Sequence, residues 1–470
     1  MQKQLLSDEQ VLKFIVDGYL VVQPKYQNEN INEKVLERYT KLKGNPGNNI
    51  LPLIPELGEV FDTPEVSGAL ESLLGPDYQM WVHRYVHASG WTNQHWHKDC
   101  QQIPKTNPYI CKHHLRDILA FYYPQDTTIE LGPTEIRPST QYSIADWDKH
   151  NEKELKLTCP KGTVVLLHNF LVHRGTRNST LFKTRYACKF SFLRIRDPGD
   201  EGGPSWNFKS CPEFPSNDTL APIYKSIWEW MTNSKLNLND DLDVTLCKNQ
   251  LKDNKEKNRL IAAYQLGRQG EFEFLMRSFL NEPNQERARE IAYGLTACVN
   301  QIDAVKLLNI TLKGATENFV VGSIGFIFSE LTIKCDDVIK ESIDILINKV
   351  NNLQNDEMKY FARTHCCDAI ATLCTVKNLE MDYTIVSKFF YDSIQENDVS
   401  LRSLSKLGPR VQLSDMSTFE DILYKSGDRY RIGYAIQTLK RINNPQSCNI
   451  LIRYLEKTRW DYCTTVENPY

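Results

Sequence analysis

The sequence predicts a two-part protein, in which an antiparallel β-sheet domain with flanking helices precedes an all-α array of short helices. Strand-like runs rich in β-branched and aromatic residues are confined to the first 200 or so positions. From about Asn237 onward only helical periodicity remains. A chain of 470 residues is also too long for one ordinary core. We therefore place the domains at residues 1–237 and 238–470.

The first elements are helices around one short strand. Ser7 can cap a helix that Gly18 ends, and the strand 19–22 follows directly. Further helices are predicted at 31–42 and 64–74.

Five later segments carry the strand pattern: 78–86, 115–123, 134–136, 162–167 and 185–195. The last strand alternates, with Tyr186, Cys188, Phe190 and Phe192 on one face and Arg185, Ala187, Lys189 and Ser191 on the other. One polar face fits a barrel whose lumen holds a site. The segment 196–218, rich in Pro, Gly and charge, is predicted to lead out of the barrel, and 220–231 to form a helix packed beside it.

The remaining helices are predicted at 258–268, 272–280, 286–299, 304–311 and 318–331, with more after Val338. Segments starting at Arg259, Arg289 and Gly433 echo one another, which favours a helical repeat array over an irregular helical domain. All proposed site residues precede the connection, so the barrel alone is expected to stay soluble.

Composition excludes several functions. The formal net charge is −3, so the basic excess that nucleic-acid binding requires is missing. No apolar run is long enough for a membrane span, and the N-terminal stretch has acidic residues where a signal peptide would be apolar. The 13 cysteines, odd in number and without CxxC spacing, indicate reduced thiols and a cytoplasmic protein.

His97 and Asp99 stand two residues apart in the motif HWHKD. On an extended chain such side chains leave the same face, so both can reach one metal ion. Iron(II) enzymes that activate O₂ use two histidines and one carboxylate. His173 is the best candidate for the second histidine, with His168 as its competitor, and Arg185 follows on a further strand.

Other candidates receive lesser roles. His95 could contact the substrate or support a ligand, whereas His83 and His87 are expected to be structural. His113 and His114 are expected to be loop residues. Of the aromatic residues Phe121, Tyr122 and Tyr123, one is expected to wall a co-substrate pocket.

The first 200 or so residues resemble the phytanoyl-CoA dioxygenase family of Fe(II)- and 2-oxoglutarate-dependent oxygenases. The resemblance rests, in order, on LSDEQVLKFIVDGYLVV, HWHKD, FYYPQDTTIELGPTEIRPSTQY and HNFLVHRGTRNSTLFKTRYACKF. It implies a double-stranded β-helix (jelly roll), the iron ligands His97, Asp99 and His173, and Arg185 binding the far carboxylate of 2-oxoglutarate. RPSTQ at 137–141 departs from the family's usual turn near the substrate entrance. The C-terminal half resembles HEAT-type repeats.

The resemblance implies a dioxygenase that uses Fe(II), 2-oxoglutarate and O₂, hydroxylates an organic substrate and releases succinate and CO₂. Related halogenating enzymes replace the motif's carboxylate with a small residue. Asp99 is retained, so no halogenation is expected. A small-molecule substrate is favoured over a protein. The alternative is a scaffold or regulatory protein whose repeats bind a partner, or present it to the oxygenase as substrate.

Overall fold

The computed structural model describes residues 2–26, 29–42, 46–99, 111–144, 153–198, 204–215, 219–236, 242–298, 301–333, 335–395 and 398–459. The predicted domain boundary at residues 237 and 238 lies outside these ranges. Within them, no helix is both long and apolar enough to cross a membrane.

Eight strands form two antiparallel sheets. Their bounds are β1 Tyr19–Val22, β2 Gln79–Ala88, β3 Asp117–Tyr123, β4 Thr134–Arg137, β5 Leu155–Lys156, β6 Thr163–His168, β7 Val172–Gly175 and β8 Tyr186–Leu193. The larger sheet has the order β1-β6-β3-β8-β2 and the smaller β5-β4-β7. The predicted strands are thus confirmed, whereas β5 and β7 were not predicted. β5 has only two residues, and β7 contains a single β-branched residue, Val172.

The pleat of the larger sheet divides its side chains between two cores. Leu119, Phe121 and Tyr123 of β3 pack with Ile136 of β4 between the sheets. The alternate residues, such as Tyr122, join the main core on the other side. The predicted faces of β8 are confirmed in the same way, because Phe190 and Phe192 belong to the main core while Ala187 lies between the sheets.

The N-terminal helices cover the main-core side: α1 Asp8–Asp17, α2 Ile31–Lys41, α3 Ile50–Leu53, α4 Glu56–Phe61 and α5 Pro64–Leu74. Ser7 and Gln10 form a capping box on α1, and Gly18 ends the helix in the left-handed conformation. A Cβ on Gly18 would lie 2.6 Å from Oε1 of Gln141. Glycine is therefore required both for the left-handed backbone and because any side chain would clash with Gln141. The short helices α3 and α4 were not predicted.

Helices make up the rest of the described chain: α6 Ala221–Thr232, α7 Val244–Gln250, α8 Glu256–Arg268, α9 Phe272–Leu280, α10 Gln285–Thr296, α11 Gln301–Gly314, α12 Asn318–Glu330, α13 Asp336–Asn351, α14 Lys359–Leu373, α15 Thr384–Asp392, α16 Asp398–Leu407, α17 Ser417–Lys425, α18 Arg429–Ile442 and α19 Pro445–Arg459. The even-numbered helices α8 to α18 pack side by side in one row, which we call the inner row. Bonds between its members, such as Arg441 Nε to the Ser405 carbonyl at 2.7 Å, join residues 36 positions apart.

The inner row packs against the sheet domain through the segment before β3 and through the edge strand β2. Arg116, next to β3, pairs with Glu330 of α12 at 2.7 Å, and both side chains are buried. Trp81 of β2 packs on Tyr434 of α18, with ring centroids 5.0 Å apart. Side chains of the sheet and of the helices belong to one continuous core. The expectation of a soluble barrel without residues 238–470 does not fit this shared core, because deletion would leave buried charges such as Arg116 without their partners.

Candidate metal centre

His97, Asp99 and His173 come together with their ligand atoms within 4.8 Å of one another. The Nε2 atom of His173 lies 3.7 Å from Oδ2 of Asp99, and the Nε2 atom of His97 lies 4.0 Å from Oδ1. Two imidazoles and one carboxylate at this spacing can hold one octahedral ion on a single face, as iron(II) sites in oxygenases do.

Backbone pairing aligns the two histidines. His97 and His173 exchange both N–H···O bonds, at 3.1 and 3.0 Å. Each ring places Nδ1 2.9 Å from a backbone carbonyl, that of His95 and that of Leu171 respectively. A carbonyl can only accept, so Nδ1 carries the proton and Nε2 keeps its lone pair for a metal. His97 forms an isolated bridge rather than the extended strand expected around it.

Trp96 fixes the loop that carries His97. Its ring lies between the guanidinium groups of Arg137 and Arg174, each 4.2 Å from the ring centroid. Arg174 also pairs with Glu135 at 2.8 Å, and Arg137 pairs with Glu154 at 2.9 Å. Two cation–π contacts therefore tie the HWHKD loop to β4 and β7.

Lys189 is a site residue that the sequence did not reveal. Its Nζ lies 2.7 Å from Oδ2 of Asp99, and its side chain is buried. Burial alone would raise the pKa of Asp99, but Lys189 and His173 outweigh burial and hold that pKa well below its ordinary value. The available signal was its place four residues after Arg185 on the polar face of β8.

Arg185 is buried next to the triad. It donates from Nε and Nη2 to the carbonyl of Gly132, at 3.1 and 2.6 Å. Gly132 has a φ of +70°, and a Cβ there would lie 2.4 Å from the Thr176 carbonyl, so the turn requires glycine. No carboxylate side chain in the described ranges pairs with Arg185. Burial lowers the pKa of its guanidinium, as expected for a cation without a counter-ion.

The triad and Arg185 open into one cavity of about 660 Å³. Phe121 is the one member of its aromatic trio that lines it. His95 lines it as well, although its side chain is largely exposed.

Residues 37–187 match the family described as phytanoyl-CoA dioxygenase (PhyH). This match supports the resemblance to that family. Together, the match and the triad support Fe(II), 2-oxoglutarate and O₂ as the cofactor set.

No curated protein matches the chain. Solved structures similar to it include the non-heme α-ketoglutarate-dependent carbocyclase SnoK from nogalamycin biosynthesis, at 18% identity over 41% of this chain and 85% of that one, with a TM-score of 0.33. The epimerase SnoN from the same biosynthesis has 13% identity over 45% and 90%, with a TM-score of 0.34. CytC3 with Fe(II) and α-ketoglutarate has 14% identity over 43% and 83%, with a TM-score of 0.32.

The structure also locates the remaining histidines. His83 and His87, which were expected to be structural, line the same cavity as the triad. His168, the competitor of His173, is buried beside Tyr142 and outside the triad. His113 and His114 lie in the loop before β3, as predicted, and both are buried there. His113 stacks on Tyr293 of α10 with ring centroids 3.7 Å apart, and His114 stacks on Trp230 of α6 at 4.2 Å.

Proposed function

We propose that this protein is an Fe(II)- and 2-oxoglutarate-dependent dioxygenase that hydroxylates an organic substrate. The observation that supports this proposal most is the triad of His97, Asp99 and His173, whose ligand atoms lie within 4.8 Å of one another in a cavity that Arg185 also lines. When bound, iron and 2-oxoglutarate would supply the oxidation chemistry, in which O₂ converts 2-oxoglutarate to succinate and CO₂ and adds oxygen to the substrate.

Each residue has a role in this proposal. His97 and His173 coordinate the metal through their Nε2 atoms. Lys189 holds Oδ2 of Asp99, which leaves Oδ1 for the metal. Arg185 binds the far carboxylate of 2-oxoglutarate, because only a guanidinium offers two parallel N–H donors and this one lacks a carboxylate partner among the described residues.

We also propose the finer architecture. The two antiparallel sheets and the core between them support a double-stranded β-helix for residues 1–237. Side-by-side inner helices, with bonds joining positions 36 apart, support HEAT-like repeats for residues 238–470.

The contact between the two parts bears on the scaffold alternative. A repeat array offers partners a broad surface along one row of its helices. Here the inner row is occupied by the protein's own sheet, through contacts such as those of Glu330 and Tyr434. This favours a small-molecule substrate over a protein presented by the repeats. A cytoplasmic location stays a prediction, and the described cysteines are free thiols, as it requires.

The test is release of succinate from 2-oxoglutarate by the purified protein, screened with a panel of metabolites. We expect release that requires Fe(II) and O₂ and is lost in His173→Ala. His168→Asn is the matched control, since His168 was the competing ligand candidate, lies outside the triad and should retain metal-dependent release in this variant. Equal loss in both variants, or release from His173→Ala, contradicts the proposed ligand set.

A further inference from the structure

A second open cavity of about 660 Å³ adjoins the metal cavity. Tyr85, His87, Ala88 and Gln94 line both spaces. We call the two adjoining cavities the aromatic groove and define it by its ring-bearing side chains: Tyr39, His83, Tyr85, His87, Tyr186 and Tyr430.

The rings of the groove are arranged in pairs. His83 and Tyr430 are stacked, with centroids 6.1 Å apart and planes inclined by 22°. Tyr85 and His87 lie 4.9 Å apart, and Tyr39 and Tyr186 lie 4.6 Å apart. Such walls offer flat apolar faces with hydroxyl and imidazole groups at their edges, which suits a ligand that itself contains rings.

Among the described residues, charge is confined to the metal-centre end of the aromatic groove. Of the described residues that line it, Asp99, Arg185 and Lys189 are charged, and all three belong to the metal centre. Burial lowers the pKa of His83, and lowers that of His87 to about 3, so both rings are neutral near pH 7. Away from the metal centre, the described lining residues therefore offer no counter-ion to a phosphate group or other anion.

Tyr430 comes from the helical part of the chain and is held firmly. It lies in the first turn of α18, where Asp428 caps the helix by accepting from the backbone N–H of Tyr430. The same helix is tied to β2, because Gln437 Nε2 donates to the Met80 carbonyl, and it is tied to the N-terminal region through the bond from Asn48 Nδ2 to the Arg429 carbonyl, at 3.1 Å. The backbone that carries the Tyr430 ring is therefore anchored at the edge of the cavity.

We propose that the aromatic groove binds an uncharged, ring-bearing part of the substrate, and that Tyr430 makes the helical segment part of this site as a specificity-determining residue. The inference rests on the proposed function, since it assumes that the substrate reacts at the metal centre. It also means that the helical segment contributes directly to substrate binding.

The experiment uses the full chain loaded with Zn(II) and 2-oxoglutarate, so that binding is measured without turnover. The probes are 4-nitrophenyl β-D-glucopyranoside, which is uncharged, and 4-nitrophenyl phosphate, which carries the same ring and an anion. Ligand-observed NMR titration gives the dissociation constants. We expect the glucoside to bind more tightly than the phosphate and to weaken about fivefold in Tyr430→Ala, the size of one aromatic contact.

Two variants separate this effect from loss of folding. Tyr430→Phe keeps the ring and should bind the glucoside within about twofold of the parent. Tyr424→Ala removes a tyrosine that packs on Tyr454 in α19, away from the groove, and should bind as the parent does. The inference is overturned if the phosphate binds as tightly as the glucoside, if the glucoside does not bind, or if Tyr430→Ala binds unchanged. Retention of Zn(II) and 2-oxoglutarate, measured in the same samples, shows whether the proposed function fails as well.

Discussion

Replacing Lys189 by Met removes the cation that lies 2.7 Å from the Asp99 carboxylate. In the metal-free protein this leaves a carboxylate that is only 17% exposed without its partner, which costs about 3 kcal/mol, the low end for a buried pair. In the metal-bound protein the divalent ion takes over as counter-ion, so most of that cost disappears. Lys189→Met should therefore destabilise the metal-free protein far more than the loaded one.

The difference in stability between the metal-free and metal-bound variant should also appear as a change in metal affinity. A unit charge about 5 Å from another interacts by about 3 kcal/mol at an effective dielectric constant of about 20. Removing Lys189 relieves repulsion of that order against an incoming cation, so the variant should bind metal on the order of a hundredfold more tightly.

Co(II) titration against a competing chelator measures this affinity, and thermal unfolding with and without metal measures the linked stabilisation. Lys189→Arg, which keeps the charge, is the matched control and should change the affinity by less than about tenfold. If Lys189→Met binds Co(II) no more tightly than the parent, Lys189 orients Asp99 instead of neutralising it, and the electrostatic reasoning fails.

Three further predictions follow from the site and from the contact between the two parts. Arg185→Leu should weaken 2-oxoglutarate binding on the order of a hundredfold while sparing the metal, as equilibrium titration of each would show, and an unchanged affinity would exclude Arg185 as the carboxylate group's partner. Burial alone would raise the pKa of Glu330, but Arg116 and His114 outweigh it and lower that pKa from 4.5 to about 2. The stabilisation is present above pH 4.5 and lost as pH falls toward 2, so acid unfolding should be steeper in the parent than in Glu330→Gln, and equal slopes would contradict this assignment. Product mass with chloride or bromide present should show oxidation only, because Asp99 keeps its metal position; halogen incorporation would show that Asp99 is not a ligand.

Local signals made much of the fold predictable. The cap at Ser7 and the glycine at Gly18 defined α1, and the alternation of residues defined the two faces of β8. The strand β7 was not predicted because Val172 is the one β-branched residue in Val172–Gly175. The contact between the sheet and the helices could not be predicted because it depends on residues far apart in the chain. Arg116 and Glu330, for example, are 214 positions apart.

The site shows the same division. His97 and Asp99 were predicted from their spacing, and His173 was named as the best candidate for the second histidine. The resemblance to the family then implied the role of Arg185. Lys189 stood on the expected polar face, but nothing in the sequence linked it to Asp99. Tyr430 could not be predicted, because only the packing of α18 on β2 brings it to the cavity.

The most direct test of the proposed iron centre is anaerobic absorption spectroscopy of the protein with Fe(II) and 2-oxoglutarate. Chelation of iron by the keto acid at the centre of His97, Asp99 and His173 should produce a weak visible charge-transfer band that requires both additions and disappears in His173→Ala. The proposed iron centre is contradicted if the metal is demonstrably bound and 2-oxoglutarate is present in excess, yet no band develops.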